Sequence, residues 1–149
     1  LADLFRAALA GPRAIPLSEE IALSRRYAEI EGLRFGDRMR IHWDLPEPLP
    51  GRAVPTLSIQ PLIENAIRHG VEPSPSGGDI HVRLDVARDM LSILIENDLP
   101  PAGSTAARAG HKLGLESSRA RIQALTGGLG DVATRIENGR HITLVTLPT

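Results

Sequence analysis

Two pairs of long, alternating apolar segments, each pair joined by a two-residue turn, confine this chain to a fold built on antiparallel hairpins. The first pair is DIHVRLDVA and MLSILIEN, joined through Arg88-Asp89. The second is DVATRIEN and RHITLVTLP, turned at Asn138-Gly139. So short a connection leaves no room for a crossover, and Asn-Gly suits the left-handed backbone that two-residue hairpins favour. A fifth segment, RMRIHWDL at 38–45, alternates like a half-buried strand.

Helical patterns fill the remaining length. Residues 1–10 place Leu1, Leu4, Phe5, Ala8 and Leu9 on one stripe, stopped by Gly11-Pro12. A second helix is expected from Ser18 to about Phe35, with Ser18 as its cap and Glu19 and Glu20 favoured by its dipole. Its apolar face would be Leu23, Tyr27, Ile30 and Leu33. A third, Thr56 to His69, would turn Ile59, Leu62, Ile63, Ala66 and Ile67 to the core and stop at Gly70. Pro61 lacks an N–H and belongs in its first turn or at a kink. A fourth runs from about Leu113 to Thr126, with Leu115, Ile122 and Leu125 apolar. Pro46 to Pro55 reads as a Pro-rich connection. Residues 98–112 are small, polar and Gly/Pro-rich, a loop of the length that is usually functional or disordered. Strands and helices mix without the regular alternation of a doubly wound sheet. The expectation is an α+β two-layer sandwich: a mixed, largely antiparallel sheet of about five strands with about three helices on one face.

Composition removes several functional classes. The 149 residues suit one compact domain, and with 3% aromatics the core must be Leu, Ile, Val and Ala. Net charge is −1 without a run of Lys or Arg, which argues against direct nucleic-acid binding. With no cysteine, disulfides, Cys-based zinc sites and thiol nucleophiles are excluded. The five histidines lack zinc spacing. There is no Walker A loop, no protein-kinase Gly-rich loop and no Gly-x-Ser-x-Gly elbow. No stretch approaches the roughly 20 apolar residues of a membrane span. The chain opens on Leu and on helical pattern at once, so a longer protein is expected, with any membrane anchor upstream.

The distinctive block is LSIQPLIENAIRHG, residues 57–70. Read alone, it is an amphipathic helix in which Glu64 and Arg68, four apart, form a surface pair, with Asn65 and His69 aligned likewise. The whole string closely resembles the N-box of the LytS/AlgZ-type sensor histidine kinases, a branch of the GHKL ATPase superfamily that also holds gyrase and MutL. The likeness extends through LSEEIALSRRYAEIEGLRF, the run WDLPEPLPGRAVPT, the glycine-box-like GHKLGLESSRARIQALTGG and the closing RHITLVTLP. It covers nearly the whole chain.

That resemblance implies a Bergerat-type ATPase fold and the cofactors ATP and Mg²⁺. Asn65 matches the N-box Asn that holds Mg²⁺, and Glu64 the general base or water-orienting carboxylate. Arg68 matches a phosphate-facing basic position, and His69 a ring beside the nucleotide or a plain helix-end histidine. Asn97 stands where the family has an adenine-binding Asp, with Asp98 next. The two glycines of that box are replaced by Leu99-Pro100-Pro101, and a strand end turned by a Pro-Pro pair is the alternative. Gly110, Lys112, Leu113, Gly114 and Leu115 match the phosphate-facing glycine box, in which Lys112 replaces a glycine and either compensates for it or blocks close approach. Residues 98–112 would be the ATP lid.

By resemblance the division is residues 1–12 as the tail of a phosphoacceptor and dimerisation hairpin and 13–149 as the ATP-binding domain. The whole protein would be a bacterial inner-membrane sensor kinase with this domain in the cytoplasm. It would act as a homodimer through the upstream hairpin, passing the phosphoryl group to a response regulator, commonly of the LytTR type. None of the five histidines has the acceptor's sequence context, so this stretch would bind nucleotide without phosphorylating itself. The altered glycine and Asp positions leave a second reading, a pseudo-ATPase serving as a regulatory interaction module.

Overall fold

The structure, a computed structural model, describes residues 14–99 and 111–148, including their side chains except at 111–114. The expected first helix, the segment 1–12 and most of the expected lid, with Gly110, lie outside the described residues.

Among the described residues, three α-helices and seven strands follow in the order β1 (Ala14–Pro16), α1 (Leu17–Phe35), β2 (Met39–Asp44), β3 (Ala53–Pro55), α2 (Gln60–Gly70), β4 (Gly78–Val86), β5 (Met90–Asp98), α3 (His111–Leu125), β6 (Asp131–Glu137) and β7 (Arg140–Pro148). The main sheet has the order β2-β4-β5-β7-β6. Only β2 and β4 are parallel, joined by a crossover through α2; the other pairs are antiparallel. Both expected hairpins form. Ala87 N–H bonds to Met90 O at 2.9 Å across the first turn. At the second, Asn138 and Gly139 take φ of 52° and 73°, the two left-handed residues of a type I′ turn.

The expected two-layer sandwich is the one observed. Ile80, Val82 and Leu84 of β4 and Leu91, Ile93 and Ile95 of β5 point to one face and are buried. The alternate residues Arg83 and Asp85 point to solvent. Helix α2 covers the apolar face with Leu62, Ile63, Ala66 and Ile67, the stripe its spacing predicts. Pro61 sits in the first turn, where no N–H is required of it.

Four sequence expectations are corrected. Helix α1 begins one residue earlier, with Pro16 at its N-cap position and no side-chain cap, so Ser18 is not the cap. Its buried face is Leu17, Glu20, Ile21, Ser24, Ala28 and Phe35, whereas Ile30 and Leu33 are 61% and 86% exposed. A short strand, β3, forms inside the Pro-rich connection and pairs with β1 as a separate two-stranded sheet. Helix α2 starts at Gln60 rather than Thr56. The residues before it form a turn in which Leu57 takes φ 61°, a left-handed conformation uncommon outside glycine.

Glu20 explains that turn. It is fully buried, and its Oε1 accepts the Leu57 N–H at 3.0 Å. Its Oε2 accepts the N–H groups of Ile59 at 3.0 Å and Gln60 at 3.1 Å. A helix start leaves its first N–H groups without intrahelical partners, and a carboxylate there satisfies them and the dipole together. Glu20 therefore serves the N-terminus of α2 rather than that of its own helix.

Candidate functional site

Helix α2 presents its polar side to α3, and a cleft of about 420 Å³ opens between them. Pro61, Glu64, Asn65 and Arg68 line it from α2, and Leu57 from the turn before that helix. Ser117, Ser118 and Arg121 line it from α3. The helical spacing of 61, 64, 65 and 68 puts these four on one face, and the opposite face is locked into the core. Three residues singled out from sequence, Glu64, Asn65 and Arg68, are thus brought to one place.

Within the cleft, Arg68 Nη2 donates to Glu64 Oε1 at 3.0 Å; the Glu64 side chain is 13% exposed and that of Arg68 58%. Glu64 also borders a smaller cleft on the side of α1, where Tyr27 and Glu31 stand. Burial first, then the negative charges of Glu64 and Glu31, push the Tyr27 phenol well above its usual range. Asn65 is buried yet reaches the α2–α3 cleft, so its amide is shielded without being closed off. Among the described residues, no three of His, Cys, Asp or Glu converge as a metal cluster. The donor set for a hard cation in the cleft is the Asn65 amide oxygen with the Glu64 carboxylate beside it.

The other sequence-derived residues lie elsewhere. Asn97, 1% exposed, is at the end of β5 and packs against Gly70, the last residue of α2. A Cβ on Gly70 would stand 2.7 Å from the Asn97 Cβ, so only glycine admits this approach. Asn97 Nδ2 donates to the Asp98 carbonyl at 2.9 Å, leaving Oδ1 as the atom it offers an incoming donor. From Asn65 to Gly70 the helix rises roughly 7.5 Å, so Asn97 sits toward one end of the same helix that carries the polar cleft. His69 is buried one residue before Gly70. Asp98 is committed to the sheet: its Oδ2 accepts the Asp79 N–H at 2.8 Å and its Oδ1 pairs with Arg140 Nη2 at 3.2 Å. It holds the strand ends that flank Asn97.

Of the glycine-box residues, Lys112, Leu113 and Gly114 fall in the first turn of α3, two residues earlier than the expected start, and their side chains are outside the described set. Leu115 is buried in the hydrophobic core, so its side chain anchors the helix. Two residues were missed from sequence. Arg121 lines the cleft from α3, and its position one helical turn beyond Ser117 and Ser118 was the signal available. His141 pairs in register with Asn97 across β5 and β7 and borders a second cleft of about 440 Å³ beside α3. Only the long-range pairing of β5 with β7, which neither hairpin contains, brings it there.

Comparison with known proteins bears on the fold. The family model described as "Histidine kinase" matches residues 1–39. The sensor protein kinase HptS of Staphylococcus aureus (strain USA300) is 35% identical over 81 residues, which is 54% of this chain and 15% of that protein. The chain therefore spans about 15% of the length of the curated relatives it matches. The solved catalytic domain of histidine kinase ThkA superposes with a TM-score of 0.68 at 16% identity, covering 91% of this chain and 93% of that one. ThkA in complex with the response regulator TrrA superposes with a TM-score of 0.65 at 17% identity, covering 91% and 41%. The fold is that of these catalytic domains.

Proposed function

We propose, on the premise that this chain is a catalytic domain of the histidine kinase type, that the α2–α3 cleft binds the phosphates of Mg²⁺-ATP for transfer to a histidine elsewhere in the protein. The observation that carries the reading is the meeting of Glu64, Asn65 and Arg68 with the polar face of α3 in one cleft, on the helix whose end packs against Asn97. Asn65 supplies one amide oxygen to Mg²⁺, an ion that takes its remaining ligands from phosphate oxygens and water. Arg68 meets phosphate, a role that the resemblance also assigns to Gly110, Lys112, Leu113 and Gly114. Asn97 accepts from the adenine amino group through Oδ1, with His69 beside the base. Asp98 contributes by fixing the strand end. Glu64 orients the attacking group or accepts its proton. Phosphoryl transfer leaves little covalent work to the protein, so positioning and charge neutralisation are what these residues provide.

The larger setting is part of the same proposal. Residues 1–12 close a phosphoacceptor hairpin of the LytS/AlgZ type, through which the full protein dimerises, and a membrane-anchored sensor precedes it. The phosphoryl group passes to a response regulator, a partner class supported by the ThkA–TrrA complex and, for the LytTR type, by the resemblance alone. Among the described residues, no helix is long and apolar enough to cross a membrane.

The test is titration of the chain with a fluorescent ATP analogue, with and without Mg²⁺, followed by phosphotransfer from labelled ATP to a separately supplied acceptor hairpin. Saturable, Mg²⁺-dependent binding and a labelled hairpin are expected. Absence of binding at millimolar nucleotide would leave the regulatory interaction module instead.

A further inference from the structure

Helix α3 carries a cation that the nucleotide-binding motifs leave unassigned. Arg121 lines the α2–α3 cleft together with Asn65 and Arg68. Its Nη1 is closed off from solvent and has no hydrogen-bond partner. A buried guanidinium N–H without an acceptor is costly, and such a group calls for a partner: water, an ion or a ligand.

The nearby acids do not complete it. Glu20, whose charge Arg121 feels, has both oxygens engaged by the N–H groups of Leu57, Ile59 and Gln60. Glu64, the carboxylate on the cleft wall, is paired with Arg68 at 3.0 Å. One turn before Arg121, at the i−4 and i−3 positions, Ser117 and Ser118 bring two hydroxyls to the same wall. With Glu64 neutralised by Arg68, one guanidinium charge is left over on the lining, beside two hydroxyls and an amide, which is the chemistry of an oxyanion site. A planar guanidinium bonds phosphate oxygens in pairs, which a lone ammonium does not. At about 420 Å³ the cleft takes more than a single small ion.

We propose that Arg121, with Ser117 and Ser118, forms a subsite that holds the terminal phosphate of a bound polyphosphate. The inference rests on the nucleotide reading of the same cleft and adds to it a residue that distinguishes a triphosphate from a diphosphate. Arg121 is thereby a specificity residue for ATP over ADP.

The experiment is calorimetric titration of the 149-residue chain with Mg²⁺-ATP, Mg²⁺-ADP and Mg²⁺-tripolyphosphate. Arg121→Gln is expected to weaken ATP and tripolyphosphate by about tenfold or more, the loss of one charge-assisted contact, and ADP by less than about threefold. Arg121→Lys, which keeps the charge, recovers part of the ATP affinity. Equal losses on ATP and ADP, or unchanged affinities, overturn the subsite. Thermal melting without ligand identifies a folding defect, in which case Arg121→Lys carries the comparison. A wild-type chain that binds tripolyphosphate in an Arg121-dependent way but not ATP retains the subsite and refutes the nucleotide reading. ATP binding indifferent to Arg121 does the reverse.

Discussion

Glu20 and Gln60, forty residues apart, meet where the Glu20 Oε2 accepts the Gln60 N–H at 3.1 Å. Through this bond and its companions at Leu57 and Ile59, a carboxylate of α1 fixes where α2 begins. The start of α2 sets the rotation of its polar face, and hence which residues look into the cleft. The position of Asn65 is in that sense decided on another helix.

Removing the carboxylate should therefore cost more than removing its neighbour. Glu20→Ala leaves three N–H groups without their charged acceptor and is expected to lower unfolding free energy by about 3 kcal/mol. Glu19→Ala, on the exposed side of the same turn, should change it by less than about 0.5 kcal/mol. Urea unfolding of the two variants checks this; equal effects would refute the capping role.

How much of this could be read beforehand differs from residue to residue. The hairpins were legible because two-residue turns are local chemistry, and Asn138-Gly139 adopts the left-handed pair its identity favours. The face of α2 was legible because Leu62, Ile63, Ala66 and Ile67 keep helical spacing. The face of α1 was not. Ile30 and Leu33 are apolar but exposed, while buried Glu20 and Ser24 look polar in any one-dimensional pattern. Glu20 is buried because its partners lie in another helix, a long-range fact that no window of α1 contains. In the site, Glu64, Asn65 and Arg68 were found by motif. Arg121 and His141 were not, because their importance comes from α3 lying over α2 and from the pairing of β7 with β5.

Gly70 offers a test of how tightly α2 and β5 are seated. In Gly70→Ala the new Cβ would meet the Asn97 Cβ at 2.7 Å, a contact that side-chain rotation does not relieve. Better helix propensity offsets part of the strain, by up to about 1 kcal/mol. A net loss of about 1–2 kcal/mol is expected, with nucleotide affinity reduced because Asn97 shifts. Thermal melting and nucleotide titration on the one variant check both halves. An unchanged or higher melting point would contradict the packing described.

Tyr27 is the chain's single tyrosine, so its ionisation can be followed by ultraviolet absorbance without interference from another phenol. It should ionise well above its ordinary value of 10.0, from burial first and then from Glu64 and Glu31. Glu64→Gln removes a nearby negative charge, eases phenolate formation and should lower the midpoint. In linkage terms the folded state holds the phenol proton more tightly. The resulting stabilisation is complete below pH 10 and is lost as pH rises through the folded-state value. An ordinary midpoint, or one raised by Glu64→Gln, would place Glu64 away from Tyr27.

The most direct measurement is the Mg²⁺ dependence of binding of a non-hydrolysable ATP analogue to the wild-type chain and to Asn65→Ala. If the Asn65 amide holds the cation that bridges the phosphates, Mg²⁺ should strengthen wild-type binding by about tenfold or more and leave Asn65→Ala nearly unaffected. Unfolding free energy should change by no more than about 1 kcal/mol, since the side chain faces a cleft. Equal Mg²⁺ enhancement in the two proteins, or no binding by either, would contradict a magnesium-triphosphate site between α2 and α3.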